Sequence, residues 1–129
     1  MSIKALLIKI LTWIKSVVVW CSASGTSNGW YYKRYSDGRI EAWYSSSKTL
    51  SNYTTVGGFN AYSWGSISLP FTMANTNYKV DIDCQIGSGF AWDASVRRST
   101  TALSSVFALA SASGSQTMYL WIHIEGYIG

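Results

Sequence analysis

Residues 29–44 read GWYYKRYSDGRIEAWY, two aromatic runs that meet at Asp37-Gly38. An Asp-Gly pair between two strand-like runs is typical of a tight β-hairpin, because a type I′ turn needs positive φ at both central residues. The sequence therefore predicts a hairpin whose two-residue turn is Asp37-Gly38. Six of the sixteen residues are aromatic, so the hairpin bears on both the fold and the function.

The register of the predicted hairpin follows by counting outward from the turn. Arg34 then faces Glu41 as a cross-strand ion pair, and Tyr32 faces Trp43 as an aromatic pair. One face carries Tyr31, Lys33, Tyr35, Ile40, Ala42 and Tyr44, and the other carries Trp30, Tyr32, Arg34, Glu41 and Trp43. Because both faces are aromatic, we expect the protein's own core to cover one and a neighbouring subunit to cover the other.

The composition is that of one β-rich domain. The chain has 129 residues, of which 16% are aromatic and 12% are charged, and the charged share is about half the usual quarter. Short β-prone runs alternate with clusters of Gly, Ser and Asn, which indicates an all-β sandwich or barrel. We predict an antiparallel β-sandwich of about seven or eight strands at residues 21–129, preceded by a short helix within residues 1–20.

The charge distribution argues against a nucleic-acid partner. Lys4, Lys9 and Lys15 supply three of the four excess positive charges, which leaves the β-rich part at +1 with no basic stripe. Cys21 and Cys84 form neither a metal motif nor a Cys-x-x-Cys redox site. One disulfide and two free thiols both remain open for these cysteines.

Alternation of apolar and polar side chains predicts the remaining strands. Residues 78–86 place Val80, Ile82 and Cys84 on one face and Lys79, Asp81 and Asp83 on the other. Residues 117–127 alternate in the same way, with Leu120, Ile122 and Ile124 against Tyr119, Trp121, His123 and Glu125. Further strands are expected at 61–69, with Trp64, Ile67 and Leu69 inward, and at 90–96 and 101–110. We expect residues 22–28 to be a linker and residues 45–60 a polar connection.

Residues 3–20 predict a helix that joins subunits. Isoleucine and leucine at both seam positions favour a trimer or a higher oligomer. Lys9 and Lys15 interrupt the apolar run, which argues against a membrane span and against a secretory signal ending near residues 21–24. A basic amphipathic helix on a membrane surface is the other alternative. Apolar residues recur in steps of four and three at the predicted oligomerisation positions Ile3, Leu7, Ile10, Ile14 and Val17.

No motif in the chain predicts catalysis, a metal or a cofactor. Asp81 and Asp83 share a strand face and are the best pair for glycoside hydrolysis, but the favoured explanation of the pair is an outward polar face beside a buried apolar one. His123 is the one histidine, and no serine lies in a nucleophile-elbow sequence. We expect His123 to be a hydrogen-bonded packing residue; three copies meeting on a trimer axis around a metal or anion are the alternative.

Residues 28–43 resemble a segment of tail-fibre and receptor-binding proteins of bacteriophages and prophages. In that family a Gly-x-Trp-x-Tyr-Arg-Lys-Trp-like strand runs into Ser-Asp-Gly and then into a strand that ends in Trp. Residues 68–71 (SLPF) and 75–80 (NTNYKV) are similar to the family's Leu-Pro-Phe and Asn-Tyr-x-Val pattern. Together the matches cover residues 26–127.

The resemblance implies a trimeric β-sandwich at a fibre tip, similar to the H-type-lectin-like C-terminal domains of tail fibres. It also implies a virion protein that binds a receptor or glycan on the host cell. Such domains usually end a long fibre, whereas here a short helix precedes the domain. The place of assembly therefore stays open among the tail, a head decoration and a separately encoded tip.

The leading hypothesis is a non-enzymatic, trimeric virion adhesin that binds cell-surface carbohydrate and other virion proteins. Sugar rings stack on aromatic side chains, and sugar hydroxyls pair with polar ones. The alternatives are a structural fibre or head-decoration protein, a membrane-active protein and a small glycosidase that uses Asp81 and Asp83. The predicted ligand contacts, for each of which packing is the alternative, are Tyr53, Tyr62, Trp64, Trp92, Asp93 and Arg97.

Overall fold

The computed structural model describes residues 2–17 and 19–129, without the side chains of residues 15–17 and 93–95. The described residues form one helix and nine strands in two antiparallel sheets, which confirms the predicted all-β sandwich with a short N-terminal helix. The elements are α1 (Ile3–Val17), β1 (Cys21–Ser27), β2 (Trp30–Tyr35), β3 (Arg39–Ser51), β4 (Thr54–Val56), β5 (Phe59–Ser68), β6 (Lys79–Ile86), β7 (Ala91–Arg98), β8 (Ala102–Ala110) and β9 (Ser115–Tyr127).

The two sheets have five and four strands. The five-stranded sheet has the order β1-β2-β3-β9-β6, and the four-stranded sheet has the order β4-β5-β8-β7. The strands β3 and β9 pair along their whole length, from Arg39 opposite Tyr127 to Ser51 opposite Ser115. This long central ladder brings side chains near the start of the chain next to side chains at its end.

Two segments predicted as connections are strands. Residues 22–28 lie largely within β1, which pairs with β2, and residues 45–60 contain the second half of β3 and the short strand β4. These segments are rich in Ser and Thr and lack a clear apolar alternation, but their backbones pair with their neighbours. Most residues of β1 are exposed, as in an edge strand, so polar side chains are tolerated there. The described strands therefore number nine rather than seven or eight.

The hairpin lies one residue out of the predicted register. Tyr31 pairs with Trp43 and Lys33 with Glu41, because the loop holds residues 36–38 rather than two residues. Gly38 has a φ of +87°, whereas Asp37 keeps a negative φ. The Gly38 N–H donates to the Tyr35 carbonyl at 3.0 Å, as expected of a three-residue loop with glycine in the left-handed position.

The shift moves side chains of the hairpin to the opposite face. Trp30, Ile40 and Ala42 share the core face and are fully buried. The predicted Arg34–Glu41 and Tyr32–Trp43 pairs do not form, since Arg34 pairs with Ile40 and Tyr32 with Ala42. Tyr31, Lys33, Tyr35, Arg39, Glu41 and Trp43 share the outer face.

The core lies between the two sheets. Trp30 of the five-stranded sheet donates its indole N–H to the Ser68 carbonyl of the four-stranded sheet at 2.7 Å. The predicted inward residues Trp64, Ile67 and Leu69 are buried, as expected. Trp64 and Ile67 both face inward although they are three residues apart, because the register shifts at Gly65, whose φ is +95°.

The described side chains of α1 do not join this core. At the predicted oligomerisation positions, Ile3, Leu7, Ile10 and Ile14 are exposed, and the side chain of Val17 lies outside the described part. Among the described residues, no helix has the length and hydropathy needed to cross a membrane. Cys21 and Cys84 are not joined in a disulfide, and Sγ of Cys84 lies 3.3 Å from the Trp92 carbonyl oxygen.

Candidate functional site

The outer face of the five-stranded sheet carries a continuous group of exposed rings and carboxylates. Antiparallel pairing aligns its side chains in rows that cross β2, β3, β9 and β6. We define the aromatic face as two neighbouring rows on this surface. Its members are Tyr31, Trp43, His123 and Asp81 in the first row, and Trp121 and Asp83 in the second.

The first row is a chain of ring contacts that ends at a carboxylate. The Tyr31 and Trp43 ring centroids are 5.8 Å apart, and Trp43 stacks on His123 at 5.3 Å with an interplanar angle of 25°. The Nδ1 atom of His123 lies 3.6 Å from Oδ2 of Asp81. Tyr31 is 45% exposed and Trp43 is 36% exposed, so both rings can still be covered by a ligand.

The second row contains Trp121 of β9, which pairs with Ser45 of β3 on one side and with Asp83 of β6 on the other. Tyr119, two residues earlier on β9, stacks on Trp121 at 6.3 Å with an interplanar angle of 16°. Trp121 is 43% exposed. A second large ring therefore lies open beside a second carboxylate.

Both rows line one cavity of about 620 Å³. Its other lining residues include Thr26, Ser45 and the backbone around Gly29. Among the described residues that line it, only Asp81 and Asp83 are Asp, Glu, Lys or Arg. The cavity is thus aromatic and acidic, although the chain as a whole has a formal net charge of +4.

His123 lies at the centre of the aromatic face without a hydrogen bond at Nε2. This nitrogen is buried, and the nearest carboxylate oxygen, Oε2 of Glu41, is 3.9 Å away. The described residues thus supply packing for His123, as expected, but no hydrogen bond at Nε2. Stacking on Trp43 and the approach to Asp81 hold the ring instead.

An ion-pair cluster borders the aromatic face. Nη1 of Arg39 donates to Oε1 of Glu125 at 2.8 Å and to Oε1 of Glu41 at 3.0 Å. The hydrogen bond to Glu125 raises the pKa of Arg39, and the guanidinium also lies 4.1 Å from the centroid of the Tyr35 ring. Arg39 thereby pairs with two carboxylates next to the cavity, one positive charge against two negative ones, while Asp81 and Asp83 are the acidic side chains that line the cavity itself.

Two predicted ligand contacts lie in the core. Tyr62 is fully buried, and its hydroxyl lies 3.1 Å from the Ala112 carbonyl and 3.0 Å from the Gly114 carbonyl. Trp64 is 5% exposed and has the Lys48 ammonium 4.6 Å from its ring centroid. The structure thus places both rings in the core, which is the packing alternative given for each of them.

The other predicted contacts do not join the aromatic face. Tyr53 lies between β3 and β4 and is exposed, and Arg97 is exposed on β7. Trp92 of β7 is 45% exposed and packs against Phe59 of β5 in the same sheet, with ring centroids 4.5 Å apart. The side chain of Asp93 lies outside the described residues.

The alternation of β6 and β9 already indicated part of the aromatic face. It placed Asp81, Asp83, Trp121 and His123 on outward positions, and the structure confirms this side of both strands. The position of Trp43 was not predicted correctly, because a two-residue turn places Trp43 on the same face as Trp30. The β3–β9 register places Trp43 opposite His123, and the three-residue loop places Tyr31 rather than Tyr32 opposite Trp43.

The described residues contain no group of three or more His, Cys, Asp or Glu side chains that could hold a metal ion. Comparison with known proteins returns no match to a family model, to a curated protein or to a solved structure.

Proposed function

We propose that this chain is a non-enzymatic attachment protein of a bacteriophage particle and that it binds a carbohydrate of the host-cell surface on the aromatic face. The observation that carries the proposal is the cavity of about 620 Å³ in which exposed rings and carboxylates lie together. This volume falls within the range of about 300–1,000 Å³ that small-ligand sites occupy. The virion location is supported by the resemblance of the hairpin motif to tail-fibre proteins.

The chemistry of the cavity suits a pyranose. One face of a sugar ring presents C–H groups that pack on an aromatic ring, and Trp43 and Trp121 offer two such rings in adjacent rows. Sugar hydroxyls donate to carboxylate oxygens, which Asp81 and Asp83 supply along the neighbouring strand. Stacking and hydrogen bonding would thus act on the same ligand from one surface.

The exposed rings of the aromatic face form an apolar surface that a bound ligand would remove from water. Removing apolar surface from water is favourable by a free energy of about 25 cal/mol per Å². Exposed apolar patches therefore mark binding surfaces. Tyr31, Trp43 and Trp121 are each between 36% and 45% exposed. A bound sugar would cover them while leaving the fold of the sheet unchanged.

A glycan array tests the binding site. The full chain is compared with Trp43→Ala, Trp121→Ala and the control Trp92→Ala, which removes an equally exposed ring from the other sheet. We expect each of the first two variants to lose about tenfold in affinity, the equivalent of about 1.4 kcal/mol, and the control to bind as the wild type does. Wild-type protein that binds no host-envelope glycan would refute the proposal.

The proposal includes assembly as a homotrimer that joins other virion proteins. The apolar seam of α1 supports it, because Ile3, Leu7, Ile10 and Ile14 are 39% to 79% exposed in the single chain. Light scattering of the full chain should give the mass of a trimer, and Leu7→Glu should lower that mass. A wild-type monomer would contradict the trimer.

A structural fibre or decoration protein is the second candidate. Under that function the exposed rings of the aromatic face lie in a subunit interface rather than against a sugar. Trp43→Ala and Trp121→Ala would then reduce the oligomeric mass, and no glycan would bind. Measuring mass and glycan binding on the same variants separates the two functions.

A further inference from the structure

The two rows of the aromatic face differ in how their charges are paired. In the first row, Oδ2 of Asp81 has the Lys79 ammonium at 3.5 Å and Nδ1 of His123 at 3.6 Å. In the second row, Asp83 is exposed and has no ion pair or hydrogen bond with any described side chain. Of the two carboxylates in the cavity, Asp81 thus has charged or polar partners among the described side chains, and Asp83 has none.

The same difference holds for the tryptophans. The Lys33 ammonium lies 5.9 Å from the centroid of the Trp43 ring, within the range of a cation–π contact. Among the described residues no cation lies over Trp121, whose ring is 43% exposed. In the first row, then, both the ring and the carboxylate have a lysine ammonium of this chain beside them, and in the second row neither has one.

Trp121 and Asp83 are positioned to share one cation. They are register partners on β9 and β6 and project from the same face, and directly opposed residues of an antiparallel pair have Cβ atoms about 4.5–5.5 Å apart. An ammonium group between them would meet a carboxylate on one side and an aromatic face on the other. Each contact favours a positive charge.

We propose that Trp121 and Asp83 bind the ammonium group of the ligand, so that the carbohydrate is a hexosamine with a free amino group. This inference rests on the proposed function, because it assigns the ligand class of the same cavity. N-acetylated sugars lack the charge, and acidic sugars would meet two carboxylates, with no Lys or Arg among the described residues that line the cavity. The tryptophan of the first row then stacks on the neighbouring part of the sugar chain.

The test compares β-1,4-linked tetramers of glucosamine, N-acetylglucosamine and glucose by titration calorimetry against the full chain. The measurements are made at pH 6 so that a large part of the glucosamine amine is protonated. We expect the glucosamine tetramer to bind about tenfold more tightly than the other two, a factor within the range of a cation–π contact combined with an ion pair. Asp83→Asn should remove that preference, so that the three tetramers bind this variant with similar affinity.

Two controls make the result specific. Glu125→Gln removes a carboxylate from the same sheet face but outside the cavity and should keep the preference for glucosamine. Trp121→Ala should weaken glucosamine binding more than it weakens glucose binding.

Each remaining outcome identifies which proposal fails. Equal binding of all three tetramers, lost in Trp43→Ala, would refute the ammonium site and keep the carbohydrate site. A preference for glucosamine that survives Asp83→Asn would also refute the ammonium site. Binding of neutral or N-acetylated glycans on the array, without a preference for glucosamine in the calorimetry, would support the carbohydrate-binding function and refute the ammonium site.

Discussion

The hydroxyl of Tyr62 is the part of the core whose removal has the most predictable effect. The side chain is fully buried, and its oxygen lies 3.1 Å from the Ala112 carbonyl and 3.0 Å from the Gly114 carbonyl. These carbonyls belong to the connection between β8 and β9. Tyr62→Phe keeps the ring and removes only the group that ties this connection to β5.

The loss in free energy of unfolding depends on which of the two carbonyls keeps a hydrogen-bond donor in Tyr62→Phe. The Gly114 carbonyl also accepts the Asn52 N–H at 3.4 Å, whereas the Ala112 carbonyl loses the Tyr62 hydroxyl. Losing one such hydrogen bond costs about 0.5–1.5 kcal/mol. For a domain of this size 1 kcal/mol corresponds to a fall in Tm of about 4 °C.

Urea unfolding at pH 7 measures this cost, with Tyr53→Phe as the matched control. Tyr53 is 61% exposed, so loss of its hydroxyl should change stability by less than about 0.5 kcal/mol. We expect Tyr62→Phe to lower the urea midpoint without changing the slope. Equal midpoints for Tyr62→Phe and the wild type would show that the hydroxyl does not hold the β8–β9 connection.

The same variant has a pH signature. Burial raises the pKa of Tyr62 above the ordinary value of 10.0. The unfolded chain therefore loses this proton at a lower pH than the folded chain, and stability falls as the pH rises above about 10. Tyr62→Phe should show a shallower alkaline fall than the wild type. The variant should still lose some stability at alkaline pH because of Tyr78. Burial raises the pKa of Tyr78 as well, although the positive charge of Arg98 partly lowers it.

Three further predictions concern the sheets. Gly126→Ala should cost about 1–3 kcal/mol in urea unfolding through overpacking, since its Cβ would lie 2.5 Å from Cβ of Tyr78; Gly87→Ala, whose Cβ has no contact under 3.6 Å, is the control. Gly38→Ala should cost about 1–2 kcal/mol through its φ of +87° alone, because the space around it is open, and an unchanged midpoint would contradict the three-residue loop. A double-mutant cycle on Arg39 and Glu125, which are partly exposed, should give a coupling below about 1 kcal/mol that weakens with salt, whereas a cycle on Arg34 and Glu41 should give none.

The extent of the sheets was predictable where side chains alternate strongly. Residues 78–86 and 117–127 each show one apolar and one polar face in the sequence, and both form strands with those faces inward and outward. The strand β1 was not predictable in this way, because its Ser, Thr and Gly side chains carry no periodic signal. Its pairing with β2 depends on backbone hydrogen bonds, which any sequence without proline can make.

The candidate site was predictable only in part. The sequence favoured ligand contacts at Trp92, Trp64 and Tyr62 because they lie near turns, and the structure places the last two in the core. The site proposed instead combines Trp43 with Trp121 and Asp83, which are far apart in the chain. Their meeting depends on how β3, β9 and β6 are ordered and aligned, and no local pattern encodes that order.

The local sequence is enough to predict that residues 29–44 form an aromatic hairpin, because two β-prone runs flank a residue pair suited to a turn. The register of the hairpin depends on packing between the two sheets. Local turn preference favours two residues in the loop, but the sandwich gains more by burying Trp30, Ile40 and Ala42 together on one face. In this register Gly38 is the one residue of the loop 36–38 with a positive φ, and Trp43 lies on the outer face beside His123. Packing against a second sheet is a non-local energy, so it could select the register that the turn alone could not.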